Sequence, residues 1–255
     1  MPRTSRRVAE SGHYHVMLRG NGKQVIFEDD VDRRAFLDAL SRTLEVPGLS
    51  LLAWCLMTNH VHLLFRDEAD CLSSAMHALA TKYAGHFNSR TGHVGSVFDG
   101  RFKSVPIESD VQLIAAVRYI HDNPRKAGIC PAADYPWSSF GEYVGVKRSW
   151  GLTEVEPVLD MLGGPEGFLA MTSELRPNEY CFRSGKRIPE EDALEIARAA
   201  LYPLDPRTLR ETFGVERGRA LLALKDAGLS LRQIERVTGI GRYAVQKGIL
   251  LAREE

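Results

Sequence analysis

Residues 51–57, Leu-Leu-Ala-Trp-Cys-Leu-Met, form a continuous apolar run, and after only Thr58-Asn59 a second run resumes at residues 60–65. Each run is short enough to be a strand and too short for a helix of ordinary length. Two strands separated by two polar residues pair as an antiparallel hairpin. The chain therefore has a sheet at its centre, and the patterns on either side of the hairpin decide its type.

Upstream, His13-Tyr-His-Val-Met-Leu-Arg19 alternates and ends at Gly20-Asn-Gly22, a strand running into a turn. Residues 29–44 carry Val31, Phe36, Leu37, Leu40 and Leu44 at helical spacing. Downstream, residues 71–87 place Leu72, Met76, Leu79, Tyr83 and Phe87 on one helical face. A short strand follows at residues 102–107, then a helix capped by Ser109 or Asp110. This helix is expected to end near His121, because Pro124 disfavours helix at Asn123 before it. The order β-α-β-β-α-β-α is the split βαβ pattern. It predicts an α+β fold: a ferredoxin-like antiparallel sheet with helices on one face, followed by a mostly α-helical C-terminal region.

Charge divides the rest. The chain balances 33 Lys and Arg against 33 Asp and Glu, but unevenly. Residues 1–150 hold 18 basic and 16 acidic side chains, residues 151–205 hold 5 and 11, and residues 206–255 hold 10 and 6. Three parts are expected: a first domain over 1–150, an acidic connector with helical pieces over 151–205, and a mildly basic domain over 206–255. In the last part, Ser230 caps a helix over 231–237, Thr238-Gly-Ile-Gly241 turns, and a second helix follows over 242–250. Two short helices joined by a glycine turn read as a helix-turn-helix, whose second helix presents Arg242, Tyr243, Gln246 and Lys247. A small helical bundle that binds nothing is the plainer alternative. No apolar run reaches the roughly 18 residues of a membrane span, and no apolar segment follows the basic residues 1–7 as in a secretory signal. Cys55, Cys71, Cys130 and Cys181 lack the spacing of a zinc site or a disulfide framework. A cytoplasmic protein is expected.

Two segments carry chemistry. His60 and His62, two apart on a strand, point to one face and converge on one point, as a shared metal requires; two idle histidines on a polar face are the alternative. Tyr119 and Asn123, four apart on a helix, also share a face. His121 lies on another and is a weaker candidate. Two imidazoles and an amide oxygen suit Mg²⁺ or Mn²⁺. A neighbouring tyrosine could attack phosphorus while the metal polarises the phosphate oxygens.

Met57-Thr-Asn-His-Val-His-Leu-Leu64, Gly100-Arg-Phe-Lys103 and Arg118-Tyr-Ile-His-Asp-Asn-Pro-Arg-Lys-Ala-Gly128 resemble the signatures of the single-tyrosine HUH transposases. The nearest resemblance is to the REP-associated tyrosine transposases, and it spans about residues 11–145. It implies that His60, His62 and Asn123 hold the metal, and that Tyr119 cleaves DNA to leave a 5′-phosphotyrosine and a free 3′-hydroxyl. It also implies that Arg101 and Lys103 lie on a basic strand near the DNA. Thr58 and Asp99 depart from the family pattern, which usually has Pro and commonly Gln there, and neither replaces a reacting atom.

The expected partner is single-stranded DNA with hairpin structure, and either a monomer or a homodimer is compatible with the resemblance. No G-x-x-x-x-G-K-[ST] loop occurs, in keeping with a phosphotyrosine that conserves the phosphodiester energy for rejoining. A domesticated, catalytically silent DNA-binding regulator is the competing reading. An RNA-binding module ranks below both, because the aromatic RNP signature is missing.

Overall fold

The hairpin forms where the apolar runs place it, with Met57 directly opposite His60 across Thr58-Asn59. The structure is a computed structural model that describes residues 8–146, 150–173, 180, 182, 188 and 190–253. The basic residues 1–7 and Pro177, Cys181 and Pro189 lie outside the described residues.

The first part of the chain runs β1 (His13–Arg19), α1 (Asp30–Thr43), β2 (Leu49–Met57), β3 (His60–Asp67), α2 (Leu72–Thr91), β4 (Lys103–Ile107) and α3 (Asp110–Lys126). The sheet order is β2-β3-β1-β4, and every neighbouring pair is antiparallel. That is the ferredoxin-like arrangement, in which each helix connects two strands separated by one strand between them.

Alternation along the strands decides what each face does. Tyr14, Val16 and Leu18 of β1 and Val61, Leu63 and Phe65 of β3 enter one apolar core with Phe36, Leu37 and Leu40 of α1 and Met76, Leu79 and Tyr83 of α2. Each such side chain contributes about 1.5–3 kcal/mol when fully buried. The opposite face carries His15, Met17 and Arg19 of β1 with His60, His62 and Leu64 of β3. Here the structure refines the expectation of helices on one face: α1 and α2 cover the first face, and α3 packs on the second, with Tyr119 against His15 and His62.

Local signals hold at the helix starts. Asp29 accepts from Val31 N and Asp32 N, and Ser109 accepts from Gln112 N. The end of α3 differs from expectation. The helix does not stop at Asn123-Pro124 but continues to Lys126. Proline removes the N–H that would bond the Ile120 carbonyl. The side-chain amide of Asn123 donates to that carbonyl at 3.4 Å and to the Tyr119 carbonyl at 2.8 Å. The helix ends instead at Gly128, whose φ of +71° is the left-handed conformation of a helix terminus.

Two compact units divide the chain, Met1–Ser173 and Glu174–Glu255. The break falls within the acidic stretch 151–205. Three further helices belong to the first unit: α4 (Phe140–Tyr143), α5 (Glu156–Leu162) and α6 (Pro165–Ser173). Phe168 of α6 stacks on Tyr143 with ring centroids 4.4 Å apart, and Glu154 accepts from Ser50 and Arg66. The second unit contains α7 (Ala193–Leu201), α8 (Gly214–Asp226), α9 (Leu231–Thr238) and α10 (Arg242–Arg253). Ser230 and Gln233 cap α9 reciprocally, and Gly239 at φ +69° closes it. Leu221, Leu224, Ile234, Val237, Val245 and Ile249 are buried in this unit. Among the described residues, no helix is long and apolar enough to cross a membrane.

Candidate active site and nucleic-acid surfaces

The strand β3 presents His60 and His62 side by side, ring centroids 5.0 Å apart and planes perpendicular. Across the sheet, His62 lies opposite Met17 of β1, and Met17 lies opposite Lys103 of β4. Directly opposed residues of antiparallel strands share a face. His62 and Lys103 therefore lie on one surface, about 10 Å apart at two strand spacings. Arg19 is opposite His60 in the same register.

The helix α3 brings Tyr119 onto this surface. Its ring meets His62 edge-on at 5.5 Å between centroids and His15 at 5.7 Å. Lys126, two turns further along the same helix face, sets its ammonium 4.1 Å from the centre of the Tyr119 ring. Asn123 lies between them on that face, and its amide nitrogen is committed to the helix carbonyls, so a metal bond from Asn123 would come from Oδ1. His60 Nδ1 is 2.7 Å from Asn59 Oδ1. Tyr119 is packed, with 4% of its surface exposed.

Burial lowers the His15 pKa to about 3. His62 is held well below its ordinary value, first by burial and then by His15, His60, Lys126 and Arg19 around it. Both rings are neutral at neutral pH and can offer lone pairs. Among the described residues, no group of three or more His, Cys, Asp or Glu is gathered for a metal. The candidate donors are the His60 and His62 imidazoles and, from the α3 face that carries Tyr119, the Asn123 amide oxygen. That set would suit a divalent ion of the Mg²⁺ or Mn²⁺ type.

The other predicted contacts separate by unit. Arg101 and Lys103 are exposed, Arg101 in the bend before β4 and Lys103 on its first residue. In the second unit, Tyr243 is 83% exposed, and Gln246 and Lys247 share its solvent face while Val245 and Ile249 turn inward. Arg242 is tied at 2.8 Å to Glu235 of the preceding helix, so it braces the turn as well as facing solvent.

His121 belongs to the core. Its Nε2 lies 2.8 Å from Ser139 Oγ, and its ring packs edge-on against Phe140, Tyr143 and Phe168. Burial lowers its pKa to about 3, from an ordinary value of 6.5. The unfolded chain thus binds a proton that the folded chain refuses. The stability involved is present above pH 6.5 and is lost as pH falls from there toward 3, at about 1.4 kcal/mol per pH unit. His121→Phe is expected to flatten the acid-side loss of stability by that slope, measured by urea unfolding at pH 7.5, 5.5 and 4.5. An unchanged slope would rule out His121 as a source of acid lability.

Three residues at the site escape single-segment reasoning. His15 and Arg19 come from β1, and Lys126 lies beyond the proline expected to end the helix. His13-Tyr-His15 is itself a period-two histidine pair, which was the available signal for His15.

Residues 8–123 match the family model described as "Transposase IS200 like". No curated protein matches. A solved structure of a REP-associated tyrosine transposase bound to a REP hairpin is similar over 60% of this chain and 94% of its own. The two are 18% identical, with a TM-score of 0.49.

Proposed function

We propose that this chain, whose residues 8–123 match the IS200-like transposase family model, is a metal-dependent nuclease and strand transferase for single-stranded DNA, working through Tyr119. The observation that carries the reading is the packing of the Tyr119 ring against His62 and beneath Lys126, on the face that also holds His60. A nucleophile, two metal-binding rings and a cation meet there on two elements far apart in sequence.

His60, His62 and Asn123 Oδ1 would hold Mg²⁺ or Mn²⁺, which when bound supplies Lewis-acid polarisation of the scissile phosphate and alignment for in-line displacement. Tyr119 Oη attacks phosphorus and forms the Oη–P bond. The bond from phosphorus to the 3′-oxygen breaks, and the leaving 3′-oxygen takes up a proton. The phenolic proton passes to solvent. The Lys126 ammonium over the ring lowers the cost of negative charge developing on the phenol. The 5′ end stays on Tyr119, and attack by a 3′-hydroxyl reverses the step and frees the tyrosine. Arg101 and Lys103 extend the cationic surface along the DNA backbone. Tyr243, Gln246, Lys247 and Arg242 give the second unit a face suited to a groove, as in a helix-turn-helix. A hairpin substrate follows from the sequence resemblance to the REP-associated branch.

The test uses end-labelled single-stranded hairpin oligonucleotides from DNA flanking the gene, with Mn²⁺, Mg²⁺ or EDTA, on a denaturing gel. A protein-linked 5′ product is expected with metal and none with EDTA, and peptide mass spectrometry is expected to find the phosphate on Tyr119. Tight binding with no covalent product, across several hairpins and both metals, would make the chain a DNA-binding regulator instead.

A further inference from the structure

His15 lies two residues along β1 from Met17, the partner of His62, so the two histidines are a diagonal cross-strand pair. His15 Nε2 is 2.8 Å from His62 Nδ1, a direct hydrogen bond between imidazoles, with ring centroids 4.9 Å apart. His15 has 0% of its surface exposed and His62 2%, so bulk water does not compete for that bond. His15 also touches the Tyr119 ring. One contact thus ties the middle of the sheet face to a candidate metal-binding ring and to the candidate nucleophile.

A shared proton between two neutral rings has two placements. If His15 donates, His62 carries its own proton on Nε2 and has no lone pair there for a metal. If His62 donates from Nδ1, its Nε2 carries the lone pair that a metal needs. Metal-binding histidines generally donate their other ring N–H to a fixed acceptor, which locks both tautomer and ring angle.

We infer that His15 is a positioning residue: its Nε2 accepts the Nδ1–H of His62 and so fixes the tautomer and orientation in which His62 binds the divalent metal. The inference rests on the reading of His60 and His62 as metal ligands. A histidine in this role, in place of the more usual carboxylate or carbonyl, accepts the bond without adding a negative charge to the site. A phosphodiester approaching the metal then meets no like charge from behind His62.

Mn²⁺ affinity of the full chain, without DNA, separates the possibilities by calorimetry or by the electron paramagnetic resonance of free Mn²⁺. His15→Phe keeps the aromatic packing and removes the acceptor. It is expected to weaken Mn²⁺ binding by about 10- to 100-fold while leaving the metal-free melting temperature within a few degrees. His15→Gln, which can place an oxygen near the lost Nε2, is expected to recover most of the affinity. Equal Mn²⁺ affinity in wild type and His15→Phe would overturn the inference and leave the metal reading intact. Equal loss in His15→Phe and His15→Gln would overturn the hydrogen-bond role. Wild type that binds no Mn²⁺ would overturn the metal reading and this inference together. Long-range proton–nitrogen NMR on metal-free wild type supplies a readout that needs no variant. A proton on His62 Nδ1 is expected, and one on Nε2 would overturn the inference.

Discussion

Tyr119→Phe is expected to abolish the covalent protein–DNA product, a fall of at least about 10³-fold in the cleavage step, with hairpin affinity kept within about threefold. The substitution removes only the hydroxyl. The ring stays between His15, His62 and the Lys126 ammonium, so its packing and the α3 position persist. Among the described residues of the first unit, no other tyrosine is placed to take over. Tyr135 Oη donates to the Leu56 carbonyl at 2.6 Å, and burial raises its pKa to about 12. Tyr143 Oη donates to the Leu52 carbonyl and is pushed up further by burial. Tyr14 is on the opposite face, its hydroxyl accepting from Ala9 N. Quantified denaturing gels with Mn²⁺, paired with binding measured in EDTA, separate chemistry from recognition. A covalent product that survives the substitution would move the nucleophile to another residue and overturn the assignment of Tyr119.

Much of this site was legible because its chemistry sits at short range. His60 and His62 are two apart on a strand, and Tyr119 and Asn123 are four apart on a helix, so each pair declares its own face. Ser109 and Ser230 likewise announced the helices they cap. What the pattern could not supply was register. The alternation of Tyr14, Val16 and Leu18 with His15, Met17 and Arg19 settles which face each side chain takes, but a slip of two residues between β1 and β3 keeps those faces and changes every partner, and nothing local forbids it. Lys103 joins the histidine face only through the two pairings His62–Met17 and Met17–Lys103. The error at Pro124 has a different origin. The rule that proline ends a helix assumes that the carbonyl it abandons stays unpaired, and the Asn123 side chain pairs it. The longer helix is what carries Lys126 over Tyr119. The segment 151–173 reads as acidic in the sequence, yet Phe168, packed among His121, Phe140 and Tyr143, decides where α6 lies.

In the second unit, Gly218→Val is expected to destabilise the helical fold by about 3 kcal/mol. Gly218 of α8 is buried at the crossing with α10. A Cβ there would come within 3.0 Å of the Gly248 carbonyl oxygen and 3.3 Å of Ala252 Cβ. Both neighbours are fixed to the α10 backbone, so the helices must separate to admit the side chain. The gain from replacing glycine in a helix, below about 1 kcal/mol, is too small to offset this. Gly248→Ala is the informative contrast. Its added methyl meets Leu221 Cδ1 at 3.0 Å, the end of a side chain that can rotate, and Gly218 Cα at an ordinary 3.9 Å, and the change is expected to be nearly neutral. The three tryptophans, Trp54, Trp137 and Trp150, all belong to the first unit. Tryptophan emission therefore follows that unit alone, while far-ultraviolet circular dichroism follows both. In Gly218→Val, part of the helical signal should melt well before the tryptophan transition. Selection among hairpin sequences should weaken with it, since α10 carries Tyr243, Gln246 and Lys247 on the face opposite the packed Val245 and Ile249. Undiminished selectivity in a variant whose second unit has demonstrably unfolded would show that α10 does not read DNA, and would leave target choice to the surface around Arg101 and Lys103.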